Sequence, residues 1–271
     1  TNKILATAYL STGQFDKAIA LANRWKQENK DDLQAMLLAG SAYMRSGQQQ
    51  KAKDEFQKLL ALDHSNLQAR VALVELDDAL GNQALAKEAL ETLLQDSPGF
   101  VPGLIKYYLF AKKDNNVEQG IRRIQQSYEK DQANLALMLL LAKVKLNEGQ
   151  YSEVIALLKL LDEKEEKPFS YWEILGEAYW RSGDFKKAEQ HFKNWLVAQP
   201  SNRTAILGNL IMFDGKRDFE QGLKMTSQYL KKNSADVQMQ LLYSHFLIMT
   251  GDMEAARKVY EQLPESAEKL P

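Results

Sequence analysis

FSYWEILGEAYWRSGDFKKAEQHFKNWLVAQPSN, Phe169–Asn202, reads as two amphipathic helices joined by a turn. Before the turn, Trp172, Leu175, Gly176 and Tyr179 follow the i, i+3, i+4, i+7 spacing that places side chains on one helix face. After Gly183–Asp184 the apolar spacing resumes with Ala188, Phe192 and Trp195. Glycine at 183 suits a turn, because a positive φ or a tight helix end costs it least.

Steps of 34 residues outward from Gly183 land on the same kind of position: Gly13, Gly47, Gly81, Gly149 and Gly251, with Asn115 and Arg217 completing the series. Five residues beyond each stands a small residue or valine: Ala18, Ala52, Ala86, Gly120, Val154, Ala188, Gly222 and Ala256. Four before it come Tyr9, Tyr43, Asp77, Ala111, Lys145, Tyr179, Phe213 and Leu247, and twelve beyond it a mostly large apolar residue, from Trp25 to Leu263. Small residues let two helices approach closely, and large ones fill the space around the contact. The prolines lie between units or near helix ends, where they break least. The expected fold is all-α. The units are 1–32 (truncated), 33–66, 67–100, 101–134, 135–168, 169–202, 203–236 and 237–270, stacked in a single domain over 1–271 because one hairpin cannot bury enough surface to fold alone.

Trp172, Leu175, Gly176, Tyr179, Ala188, Phe192 and Pro200 stand where the tetratricopeptide signature expects them, so this unit resembles the tetratricopeptide repeat. The resemblance covers essentially the whole chain; the first and sixth units fit well, the fourth and seventh poorly. It implies an α-solenoid, a right-handed superhelix with the first helix of each hairpin lining a concave face. The texture of repeats 5 and 6 is also similar to bacterial envelope repeat proteins linked to exopolysaccharide export.

Charge is balanced, 35 Lys+Arg against 36 Asp+Glu, which disfavours nucleic-acid binding through a bulk positive field. Without cysteine there is neither a disulfide nor a thiolate site. His64, His191 and His245 fall at different repeat positions and do not converge on a metal or catalytic cluster. GxxxxGK[ST], GxGxxG and GxSxG are missing, and the glycines are taken up by turns. A non-enzymatic chain with no cofactor is expected, and no direct membrane insertion, since no run of about 18 apolar residues occurs. The start at Thr1, the truncated first unit and the want of a polar capping helix after Pro264 lead to the expectation that the native array continues. The compartment, bacterial periplasm or envelope or else cytoplasm, stays open.

At about 100° per residue, repeat positions 4, 7, 8 and 11 of the first helix share a core face, and positions 2, 5, 9, 12 and 13 share the opposite face. The second set is apolar. Position 5 carries Leu37, Val71, Ile105, Leu139, Leu207 and Leu241. Position 9 adds Leu109, Ile211 and His245, and position 12 adds Leu10, Met44, Leu146, Trp180 and Ile248. Glu177 and Arg181 lie alongside Trp180. One reading is packing against the next repeat; another is a groove for a protein or peptide partner, because monomers rarely expose large apolar patches. A third is self-association, or a spacer segment of a longer array in a bacterial secretion or exopolysaccharide-export system. The carboxylate clamp of chaperone-tail-binding relatives, a Lys at position 5 with an Asn at position 9, is missing: Lys3 is followed by Thr7 and then Leu38 in the next unit, and no other repeat has Lys at position 5. Lys112–Lys113 and Arg122–Arg123 read as a solvated surface or an anion site. Asp162–Lys167 reads as a solvated loop, and Gly120 and Gly222 as drift or as soft joints.

Overall fold

The computed structural model describes residues 2–162 and 166–264, and every regular element among them is helical. The centre of the charged run Asp162–Lys167 lies outside the described residues. The chain divides into two compact units, one ending at Leu141 and one beginning at Ala142. The first unit holds α1 (Asn2–Ser11), α2 (Phe15–Glu28), α3 (Leu33–Arg45), α4 (Gln49–Leu62), α5 (Leu67–Ala79), α6 (Gln83–Asp96), α7 (Val101–Lys113) and α8 (Val117–Lys130). The division falls inside α9 (Leu135–Asn147). The second unit continues with α10 (Tyr151–Leu158), a 3-10 turn (Lys159–Leu161), α11 (Phe169–Arg181), α12 (Phe185–Ala198), α13 (Arg203–Gly215), α14 (Phe219–Leu230), α15 (Val237–Thr250) and α16 (Met253–Glu261). Each unit is an α-solenoid of stacked helical hairpins.

One backbone motif closes all eight hairpins. The N–H one residue past the glycine column donates to the carbonyl five residues earlier, as in Gln14 to Tyr9, Gln48 to Tyr43 and Asp184 to Tyr179, at 2.7–3.0 Å throughout. This 6→1 bond is the mark of a Schellman helix end, and it requires a left-handed residue between the helix and the donor. Asn115 and Arg217 take that conformation at φ 57° and 59°, beside six glycines between 72° and 93°. The motif therefore holds even where glycine is missing. The next hairpin then starts on a side-chain cap at several repeat boundaries: Asp32, Asn66, Asn202 and Asp236 each accept the amide of the residue three on.

Burial shows what the two-face division left out. Position 10 (Ala42, Leu76, Phe110, Val144, Ala178, Met212, Phe246) is buried from the second repeat onward. Position 3 (Ala35, Ala69, Gly103, Leu137, Tyr171, Ala205, Met239) is buried as well. Ala42 joins the core cluster of Leu21 and Ala22 from the preceding hairpin, and Ala69 and Leu76 join that of Phe56 and Leu59. A helix inside a stack is thus buried on its own-hairpin side and on its neighbour side. Where position 11 is charged, an adjacent helix supplies a counterion: buried Asp77 takes Lys53 of α4 at 2.6 Å, and buried Lys145 takes Glu153 of α10 at 2.5 Å.

Gly120 and Gly222 have a packing reason. A Cβ on Gly120 would stand 3.0 Å from the Tyr108 Cα, and one on Gly222 only 2.3 Å from the Phe246 ring.

Candidate partner-binding site

In the second unit, the end of α11, the start of α12 and the C-terminal half of α13 enclose a cleft of about 650 Å³. Its walls are Trp180, Phe185 and Ile211, which are 38%, 54% and 50% exposed. The Trp180 and Phe185 rings meet edge to face with centroids 5.0 Å apart, an arrangement that favours aromatic pairs. Buried Met212 also lines the cleft. Gly215, the last residue of α13, leaves it open: a Cβ there would meet nothing within 4 Å.

The polar lining is Lys186, Glu189 and Lys216. Glu189 accepts from Lys193 at 2.8 Å and from Lys216, and these two lysines hold its carboxyl below the usual carboxylate range.

The sequence-predicted residues separate into groups. In the first unit Leu10, Leu37, Met44, Val71 and Leu139 are half-buried, with Leu10, Leu37 and Met44 packed against core clusters. Ile105 and Leu109 are exposed on successive turns of α7. The cations of repeat 4 are partly neutralised, Lys113 by Asp78 at 3.3 Å and Arg123 by Glu91 at 3.7 Å, while Lys106 of the same repeat pairs with Glu75 at 3.3 Å.

In the second unit Leu207 and Leu241 are half-buried, and Ile248 is exposed. Leu146 corrects the expectation: it is 0% exposed and offers no surface, although it shares Trp180's repeat position. Arg181 donates to Glu177 at 2.8 Å, and Lys143 stands 3.6 Å from the same carboxylate. His245 is not an isolated polar residue, since its Nε2 lies 2.7 Å from Asp214 Oδ1. Of all these, Trp180 and Ile211 are brought together in the cleft. Sequence reasoning missed Phe185. Its signal was the aromatic residue at the same place in Phe15 and Phe219, which reads as helix-start packing until Trp180 is seen beside it.

His191 is buried against Trp172, Tyr171 and Tyr179. Its Nε2 lies 2.8 Å from the Trp172 carbonyl, which can only accept, so that nitrogen carries the proton. Burial pushes the imidazole pKa down, and the ring is a neutral core residue.

Models of the tetratricopeptide repeat match residues 34–63 and 139–203. Over those residues the chain carries tetratricopeptide repeats. Proteins built of such repeats are generally non-catalytic scaffolds for protein–protein interaction. Solved structures agree in fold. A tetratricopeptide repeat protein from Parabacteroides merdae has a TM-score of 0.54 at 13% identity, over 91% of this chain and 97% of that one. PilW, a type IV pilus biogenesis factor, has 0.53 at 17% identity, over 77% and 96%. A chain of the APC/C hetero-tetramer Cut9–Hcn1 has 0.51 at 16% identity, over 89% of this chain and 48% of that one, so this protein spans about half of that chain's length. No curated protein matches the chain. Among the described residues, no helix is long and apolar enough to cross a membrane, and no group of three His, Asp or Glu residues stands ready for a metal ion.

Proposed function

We propose that this protein holds a peptide or helix of a protein partner through the cleft between Trp180, Phe185 and Ile211. The observation that carries the reading is an exposed aromatic pair lining a largely apolar cleft, in a fold whose members are interaction scaffolds. Binding energy concentrates in a few large anchors set in such pockets, with tryptophan enriched among them. The rest of the position-5, -9 and -12 set plays a lesser part. Its half-buried leucines stabilise neighbouring repeats, and exposed Ile105, Leu109 and Ile248 remain secondary contact points.

Panning a random dodecapeptide library on the purified protein tests the reading. Trp180→Ala should weaken the selected peptides by about 2 kcal/mol, or roughly thirtyfold. Its melting temperature should hardly change, because the ring is more than a third exposed. Peptides that bind the variant unchanged place the partner surface elsewhere.

A further inference from the structure

We infer that the segment held in this cleft is acidic as well as apolar: a peptide with a large aliphatic or aromatic anchor flanked by carboxylates. This rests on the reading of the cleft as a partner site. The lining carries two cations and one anion, Lys186 and Lys216 against Glu189. Glu189 is already shared between Lys193 and Lys216, so it has little left to offer a basic ligand, and that trio keeps a net positive charge. Lys186 follows Phe185 directly on α12, and none of its own ion pairs or side-chain hydrogen bonds occurs among the described residues.

An apolar side chain seated between Trp180 and Ile211 brings its chain neighbours to the rim where Lys186 and Lys216 stand. A carboxylate there completes the pairing, whereas a lysine meets two like charges. Beside a wall of two aromatic rings and an isoleucine, the pairing works in a medium of lower dielectric than open water, which strengthens both the attraction and the rejection.

Gly215 provides the control. Because a Cβ at 215 meets nothing and its φ is not positive, Gly215→Leu should fill the cleft without disturbing the surrounding packing. The probe is the same displayed dodecapeptide library, followed by anisotropy titration of its best binders and of versions with every acid changed to Lys. The selected pool should be enriched in Asp and Glu beside a Leu, Phe or Trp. Acid-to-Lys versions should bind at least tenfold more weakly. Lys186→Glu should lower the affinity of the acidic peptides about fivefold, raised salt should weaken them further, and Gly215→Leu should abolish binding.

A pool that is lost in Gly215→Leu yet shows no acidic bias, or tolerates Lys186→Glu and high salt unchanged, overturns the acidic inference and leaves the cleft reading standing. A pool indifferent to Gly215→Leu overturns both. Sedimentation showing a dimer that Gly215→Leu dissociates makes a second copy the occupant and also overturns the inference.

Discussion

In repeat 6 the turn residue is Gly183, φ 80°, and the small residue behind it is Ala188; in repeat 7 the same two places hold Arg217, φ 59°, and Gly222. The backbone hydrogen bond that closes the turn is the same, Asp184 to Tyr179 at 3.0 Å and Asp218 to Phe213 at 2.8 Å. The space is filled differently. In repeat 6 the Phe192 ring presses on Gly176 of its own hairpin and on Gly208 of the next, where added Cβ atoms would come within 2.8 and 2.3 Å. In repeat 7 it is Phe246, from the following hairpin, that takes the room Gly222 leaves. The comparison teaches that the repeat conserves a backbone path and a local volume. It does not conserve a residue at each position, and a loss on one helix is made good by a ring from another.

The largest effect follows from that dependence. Phe246 is 1% exposed, and Phe246→Ala should cost about 3–5 kcal/mol in chemical denaturation, because its ring fills the space beside Gly222. A loss below about 1 kcal/mol would mean that repeat 7 packs without it. Next come the overpacked variants. Ala188→Leu and Gly222→Val should each cost about 1–3 kcal/mol, the first because Ala188 is fully buried at the helix contact and the second because of the 2.3 Å approach. Equal stability of either variant with the parent protein would show that the small-residue column is not a contact point.

The turns give smaller effects of opposite sign. A non-glycine residue in the left-handed region is strained by roughly 1–2 kcal/mol, part of which glycine's extra unfolded-state entropy cancels. Arg217→Gly should therefore stabilise by about 0.5–1 kcal/mol, and Gly183→Ala should destabilise by a similar amount. Melting temperatures moving the same way in both variants would break the comparison.

The smallest concerns acid. His191 is held neutral, with its pKa lowered by burial from 6.5, and unfolding restores the ordinary value. Between the lowered value and 6.5 the unfolded chain binds the extra proton, so stability present above that window is lost as pH falls through it. His191→Gln keeps an N–H for the Trp172 carbonyl and should flatten this slope, as thermal melts from about pH 7 to 5 would show. An unchanged slope would assign the pH dependence to other groups.

Much of the fold was legible because a hairpin repeat writes its period into the chain. The first helices α3, α5, α7, α9, α11, α13 and α15 begin at 33, 67, 101, 135, 169, 203 and 237, each 34 residues apart as the glycine column implied. Asn115 and Arg217 could be placed in that column by counting alone, and their positive φ follows from the turn they close. The cleft was only half legible. Trp180 stood out as a large aromatic on the outer face, but Phe185 looked like helix-start packing, and nothing local marks Gly215 as a gap. Leu146 shows the opposite error, an outer-face position by helical phase that is fully buried.

By itself, then, the sequence determined what depends on near neighbours: helix phase, turn geometry, the repeat length and the small-residue column. These are set by spacing within one hairpin, where residues three, four or five apart meet whatever the rest of the chain does. Only the tertiary structure decided which outward side chains stay in water. That depends on how a following hairpin lies against its predecessor, and so on Phe192 and Phe246 reaching across to glycines in other hairpins. It is also why Trp180, Phe185 and Ile211, which lie on three different helices, line one cleft while Leu146 is buried.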